Sequence, residues 1–329
     1  MNLRETIDSY KQVFVICDRN VEAFAHLMGD YPLLTIHASE STKTMDTVVG
    51  ICRWLMEKGA DRGALVLAVG GGVTTDLVGF AASIYKRGIA YANIPTTLLC
   101  MIDAGLGGKT GVNLDSFKNM IGTFRQPEFT WLFPDILRSL PRREFLSGAA
   151  EMLKTFIIDN RSGGYERCVK MLRDYASSGV SPADTSAGLE ELSALIREAS
   201  SVKEEIVRRD PLEKGERRLL NLGHSWGHAI EWKQPEKFTH GEAVAMGMIC
   251  AARKAEELGI AAKTAPGEAG LSEKLAADFS ACGLPTELPC PEAELLEAIR
   301  RDKKAEADGT VCFVLPVRIG KVVLKNLPV

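Results

Sequence analysis

"VLAVGGGVTTDLVGF", residues 66–80, reads as a buried strand that runs into a glycine turn and out into a helix. The run from Ala64 to Val69 is short and uniformly apolar, as in a strand covered on both faces. Gly70, Gly71 and Gly72 let the backbone approach a phosphate, and the helix expected from about Thr75 to Lys86 would offer its free N–H groups there. In this reading Asp76 falls in the first helical turn, where the dipole favours a carboxylate. The turn is not G-x-G-x-x-G, so the dinucleotide fingerprint does not match, and a plain tight turn fits equally well. Working outward, "VFVIC" (13–17), "LLTIH" (33–37) and "IAYANIP" (89–95) read as further strands. Between them, "TKTMDTVVGICRWLMEKG" (42–59) carries a helical apolar stripe of Met45, Val48, Val49, Cys52, Leu55 and Met56. This βαβαβ rhythm predicts a parallel sheet with helices on both faces. After Pro141 the pattern changes to helical periods, at about 142–158, 162–176, 186–209, 217–233, 240–258 and 291–303, with a hairpin in "TVCFVLPVRIGKVVL" at the end. We expect an α/β domain over 1–141, an α-helical domain over 142–329, and the site in the cleft between them.

Bulk properties narrow the function. A chain of 329 residues is long for one core, in keeping with two domains. A net charge of −3 argues against a nucleic acid or a membrane surface as main partner. No apolar run reaches membrane-spanning length, and the opening "MNLRETIDSYKQ" predicts no secretory signal. The cysteines form no C-x-x-C pair and stand mostly among apolar neighbours, which predicts reduced, buried thiols in a cytoplasmic protein.

Two stretches carry chemistry. In "PTTLLCMIDAGLGGKTGVN" (95–113), Thr96 and Thr97 place hydroxyls at a strand end, where α/β proteins bind ligands, and Asp103, Lys109 and Asn113 follow in a glycine-rich segment. Lys118 and Asn119 come next, and two lysines beside glycine-rich backbone point to an anionic ligand. In "NLGHSWGHAIEW" (221–232), His224 and His228 stand four apart, but Ser225 occupies the Glu position of H-E-x-x-H. Read as one helix, Arg217, Asn221, His224 and His228 form a single polar stripe on an otherwise apolar cylinder. His240 begins the next helix, so three of the five histidines fall within seventeen residues. Two histidines and a carboxylate suit a catalytic zinc with an open position. Spacing leaves the carboxylate open among Glu151, Glu231 and Glu242.

The motifs "GGGVTTDLVGFAA", "RGI…IPTTLL", "GGKTGVN", "KNMIG", "LPRRE", "EMLK" and "LNLGHSWGHAIE…HGEAVAMGM" occur in this order over about residues 13–324. Together they resemble the 3-dehydroquinate synthase family, within the wider sugar-phosphate cyclases. The resemblance implies a Rossmann-like N-terminal domain and an α-helical C-terminal domain. It further implies a cytoplasmic homodimer that uses NAD and zinc or cobalt and takes a small phosphorylated sugar acid. The implied reaction converts 3-deoxy-D-arabino-heptulosonate 7-phosphate to 3-dehydroquinate and phosphate, a lyase step of the shikimate pathway towards chorismate and the aromatic amino acids. The implied metal ligands are Glu151, His224 and His240, which makes His228 a substrate-site residue. The implied NAD contacts are Asp18, Glu40, Lys43, Gly70, Gly71, Gly72, Asp76, Thr96, Thr97, Asp103, Lys109, Lys118, Ser139 and Leu140. Substrate contacts fall on Lys109 again, Asn119, Lys154, Lys203, Arg217, Asn221, His228 and one of Lys303 or Lys304, with Arg87 reaching the partner subunit's phosphate site.

Several residues depart from that family pattern. Ala104 and Gly105 stand for two hydroxyl residues, Thr75 and Phe117 for glycines, and Pro211 for a glutamate. The rival readings are another cyclase, of the 2-epi-5-epi-valiolone or 2-deoxy-scyllo-inosose synthase type, and a metal-dependent alcohol or glycerol dehydrogenase. Arg217 and Asn221 suit a carboxylated substrate and favour the first reading.

Overall fold

The apolar runs pair in parallel. In the computed structural model, β1 (Val13–Asp18), β2 (Leu33–Ile36), β3 (Leu65–Gly70) and β4 (Ala90–Pro95) form one sheet in the order β2-β1-β3-β4. The structure describes residues 3–115, 117–262, 268–302 and 310–328, in two compact units, Met1–Leu140 and Pro141–Val329. In the first unit, alternation sorts the side chains of each strand onto opposite faces. Phe14, Ile16, Val66 and Ala68 pack against Val48, Ile51 and Leu55 of α3 (Met45–Glu57) and Leu77, Val78 and Ala81 of α4 (Gly72–Ile84). Val13, Val15, Cys17, Leu67 and Val69 pack on the other face, with Ile7 of α1 (Leu3–Ile7) and Ala25 of α2 (Glu22–Leu27). Each fully enclosed Val, Leu, Ile or Phe side chain among these contributes roughly 1.5–3 kcal/mol. Past β4, the backbone at Glu128–Trp131 bonds to Tyr91 and Asn93 and so covers the sheet edge.

One expectation for this unit needs correction. The helix starts at Gly72, with Gly71 as its N-cap, so Asp76 lies in the second turn. The end of the glycine-rich stretch, from Lys109, forms an antiparallel hairpin, β5 (Lys109–Leu114) and β6 (Phe117–Phe124). Its glycines do packing work: Gly111 and Gly122 face each other across the ladder, and Gly79 of α4 leaves room for Thr110.

The second unit is helical, with α5 (Arg142–Ile158), α6 (Gly164–Ser178), α7 (Ser186–Arg209), α8 (His224–Lys233), α9 (His240–Glu257), α10 (Leu271–Ala281) and α11 (Glu292–Asp302). A hairpin of β7 (Thr310–Arg318) and β8 (Lys321–Pro328) closes it. Every residue of α5 from Phe145 to Ile158 is buried, so this helix is the axis of the unit. Helix α10 falls in a stretch where no helical period is expected from the sequence. Among the described residues, no helix is long and apolar enough to cross a membrane. Of the cysteines, Cys17, Cys100, Cys168, Cys250 and Cys282 are buried, and Cys52, Cys290 and Cys312 are partly exposed.

The single helix expected over 217–233 is broken. Glu216–Asn221 is a 3₁₀ segment, and Gly223 adopts a left-handed φ of +79° before α8 begins at His224. A Cβ on Gly223 would sit 2.8 Å from the Val244 carbonyl oxygen and Met248 Cγ, so the turn is pressed into α9. The start of α9 is held as closely. Thr239 and Glu242 form a capping box, the Gly241 N–H donates to Ser147 Oγ at 3.0 Å, and a Cβ on Gly241 would lie 2.0 Å from the Ser147 carbonyl oxygen.

The glycines therefore make opposite predictions. Gly50 lies exposed within α3 with open space where a Cβ would go, so Gly50→Ala raises stability by about 0.5–1 kcal/mol. Gly241→Ala lowers it by about 2–3 kcal/mol, because α9 has to back away from α5. Urea titration of both variants beside the parent protein checks the contrast; a Gly241→Ala protein of parental stability would contradict the packing described.

Candidate functional site

Ser147 and Glu151 are one turn apart on α5, so the contact that seats Gly241 on Ser147 brings the neighbouring His240 to Glu151. His240 Nε2 is 3.5 Å and His224 Nε2 3.9 Å from Glu151 Oε1. One ligand atom from each of the three residues lies within 4.8 Å of the others. Glu151 is 0% exposed, and neither carboxylate oxygen accepts a hydrogen bond. Lys154, also buried, lies against Oε2 as an ion-pair contact without hydrogen-bonding geometry. A buried carboxylate in this state is costly unless a cation completes its surroundings.

The imidazoles are prepared in different ways. His224 Nδ1 lies 3.1 Å from the Leu222 carbonyl oxygen, which places its proton on Nδ1 and leaves the Nε2 lone pair towards Glu151. Burial, with Lys154, His240 and His228 nearby, pushes His224 well below the ordinary imidazole value, so it is neutral. Burial also acts to lower His240, but the Glu231 hydrogen bond and the charges of Glu151 and Glu231 outweigh it and leave this ring above the ordinary value. An enclosed oxygen ligand and two imidazole nitrogens facing it fit a divalent cation of the zinc type.

The carboxylate left open by spacing now separates into three cases. Glu242 is engaged by Arg143, at 3.0 and 2.7 Å, and by the Thr239 N–H. Glu231 approaches the opposite side of His240, with Oε2 3.4 Å from Nδ1. Glu151 alone stands enclosed between both rings. His228 is exposed and falls outside the Glu151 group, although His228, Glu231 and His240 form a second trio within coordinating distance.

Arg217 and Asn221 precede the broken turn, in the 3₁₀ segment. Arg217 is buried, which lowers its pKa against the pull of Asp210, and Nη1 donates to the Pro211 carbonyl oxygen at 2.8 Å. That bond uses a backbone oxygen, so proline at 211 in place of glutamate leaves it available. Asp210 accepts the N–H groups of Lys214, Gly215 and Arg217. Asn221 donates to Glu213 at 2.8 Å, and Glu213 is held at a φ of +58°. Sequence reasoning missed Glu213, because its eight-residue separation from Asn221 follows no helical period. Lys203 is buried on α7. Lys303 and Lys304 lie outside the described residues.

In the first unit, buried Lys43 donates to Asp76 Oδ2 and Asn119 Oδ1, each at 2.5 Å. Asn113 extends the network, accepting the Asn119 N–H at 2.9 Å and donating to Glu40 Oε2 at 2.8 Å. The amino end of α4 has no side-chain cap, so its first N–H groups are left for an anion, as a dinucleotide pyrophosphate needs. Gly70 and Thr96 are joined by a backbone hydrogen bond, and Thr97 Oγ1 accepts the Cys100 N–H. Asp103 lies in the π-helical turn Cys100–Ala104. Asp18 accepts the Asn20 N–H at the end of β1. Lys109 and Lys118 are exposed on the hairpin, and Arg87 is exposed in a left-handed turn with φ +68°. Ser139 and Leu140 end the Pro134–Ser139 segment, with Ser139 Oγ bonded to the Ile136 carbonyl.

Two departures from the family pattern meet at Cys100. Thr75 Oγ1 is 3.5 Å from Cys100 Sγ, and a Cβ on Gly105 would fall 2.7 Å from the Cys100 carbonyl oxygen. Nothing in the structure explains Phe117.

Residues 33–147 match the family described as "3-dehydroquinate synthase N-terminal" and residues 148–305 that described as "3-dehydroquinate synthase C-terminal". The 3-dehydroquinate synthase of Pyrococcus abyssi is 40% identical over 302 residues, which is 92% of this chain and 83% of the relative. Among solved structures, 2-epi-5-epi-valiolone synthase from Streptomyces hygroscopicus subsp. jinggangensis 5008, with NAD+ and Zn2+ bound, superposes with a TM-score of 0.84 at 30% identity, covering 100% of this chain and 91% of that one. A 2-deoxy-scyllo-inosose synthase complexed with carbaglucose-6-phosphate, NAD+ and Co2+ follows with a TM-score of 0.80 at 25% identity, covering 99% and 92%. With both halves matched in order, the chain belongs to the 3-dehydroquinate synthase family of enzymes.

Proposed function

We propose that the protein converts 3-deoxy-D-arabino-heptulosonate 7-phosphate to 3-dehydroquinate and phosphate, as a homodimeric lyase of the cytoplasm that depends on NAD and a divalent metal. The observation that carries this reading is the enclosed Glu151 carboxylate, without a hydrogen bond and faced by two imidazoles, in a chain of this family. Glu151, His224 and His240 would hold zinc or cobalt, and the open amino end of α4, with the Lys43 network beside it, would hold NAD. When bound, the metal supplies a Lewis acid at a substrate hydroxyl and the nicotinamide a reversible hydride acceptor.

The remaining work falls to side chains. Arg217, oriented by its bond to the Pro211 carbonyl, would pair with the substrate carboxylate, and Asn221 is steadied by Glu213. Lys109, Asn119 and Lys154 would bind the phosphate, with Arg87 contributed by the partner subunit. Lys203 and His228 would orient hydroxyl groups. The β-elimination breaks the C–O bond to phosphate, and the departing phosphate takes the proton of the adjacent carbon. Ring opening and aldol closure then need one held conformation more than further catalytic groups.

Purified protein given the heptulosonate phosphate releases phosphate with no net change in NADH absorbance; a chelator stops the release and zinc or cobalt restores it. Steady NADH accumulation would show a dehydrogenase instead, and preference for a sugar phosphate without a carboxylate would show a different cyclase. A second expectation separates the histidines: His228→Ala keeps bound metal and loses turnover, whereas His240→Ala loses metal. Equal metal loss in both variants, measured by elemental analysis, would contradict the ligand set.

A further inference from the structure

His224, His228 and Glu231 stand at i, i+4 and i+7 of α8 and so form one stripe. The ring of His240, the first residue of α9, lies across that stripe, 5.1 Å from the His224 ring and 6.2 Å from that of His228. Its two nitrogens have different neighbours: Nε2 is 3.5 Å from Glu151 Oε1, and Nδ1 is 3.4 Å from Glu231 Oε2. A neutral imidazole offers one lone pair and one N–H, so the acceptor at one nitrogen decides which nitrogen can ligate. His224 has the same arrangement, with the Leu222 carbonyl oxygen behind Nδ1. Each imidazole that faces Glu151 therefore has an acceptor behind it, a carbonyl in one case and a carboxylate in the other.

We infer that Glu231 is a positioning residue: it holds the His240 proton on Nδ1 and so aims the Nε2 lone pair at the cation held with Glu151 and His224. This rests on the reading of those three residues as the metal ligands. The second trio, His228, Glu231 and His240, is the competing arrangement, in which Glu231 would itself be a ligand. Two observations decide between them. The Glu151 oxygens are enclosed and accept no hydrogen bond, whereas Glu231 is partly exposed and already engages Nδ1. A cation in the second trio would displace that contact and leave the buried Glu151 carboxylate with Lys154 at one oxygen alone. Besides fixing the tautomer, a carboxylate behind a ligating imidazole makes it a better donor.

The test compares parent protein with Glu231→Gln and Glu231→Ala. Zinc affinity is measured by competition with a chromophoric chelator, and the metal-free proteins are examined by ¹⁵N NMR of the histidine rings. Glu231→Ala should bind zinc about 10–100-fold more weakly, and Glu231→Gln, whose amide oxygen still accepts from Nδ1, should fall between. The His240 signal should leave the Nδ1–H tautomer in Glu231→Ala and keep it in Glu231→Gln. With cobalt at saturation, the Glu231→Ala spectrum should keep the parental band positions, because no ligand is lost. Zinc affinity within about twofold of the parent in Glu231→Ala, with an unchanged tautomer, would overturn the inference alone. A changed cobalt coordination would make Glu231 a ligand and overturn it in favour of the second trio. Failure of the parent protein to bind zinc stoichiometrically would instead overturn the reading of the site, and this inference with it.

Discussion

A carboxylate with no access to water and no hydrogen bond is the constraint around which the helical unit is arranged. Glu151 sits within α5, the helix buried along almost its whole length. Leaving such a charge bare would cost several kcal/mol, and Lys154 covers only one of its oxygens. The two histidines turned towards the other oxygen do not offset that charge as neutral ligands. A divalent cation shared by Glu151 and the two rings, as proposed above, would offset it.

The packing around Glu151 uses glycine to bring backbones closer than side chains permit. Gly241 lets α9 rest on the Ser147 carbonyl, and Gly223 lets the turn before α8 press into α9. These approaches place His224 and His240, from two helices, at one side chain on a third. The close fit is also why neither ring can move far: His224 is tied behind by Leu222 and His240 by Glu231. In the first unit the logic is reversed. Lys43 is buried but paired, with Asp76 and Asn119, and joins the turn before α3, the helix after the glycines and the β5–β6 hairpin. Its partners lie within the same unit, so it ties these three segments together.

Much of this is readable along the chain. The alternating and fully apolar strands, the glycine turn between β3 and α4, the change to helical periods after Pro141 and the cluster of three histidines all follow from short-range pattern. The errors share a cause as well. Arg217, Asn221, His224 and His228 keep a perfect helical spacing through Gly223, yet the chain breaks there, because close packing against α9 outweighs local propensity. The glycines near Lys109 give no strand signal along the chain, because their partners, each other and Thr110, are named only by strand pairing.

The sequence by itself determined which elements form and which residue types are available for a metal and an anion, since periodicity and side-chain chemistry are properties of neighbours along the chain. Spacing leaves Glu151, Glu231 and Glu242 open and only the family resemblance singles out Glu151; the tertiary structure supplies the physical distinction, with Glu151 beside both histidines and Glu231 behind one of them. Those three glutamates are equally acidic in sequence. What separates them is burial and the direction of each contact, and both are set by how closely α5, α8 and α9 approach one another.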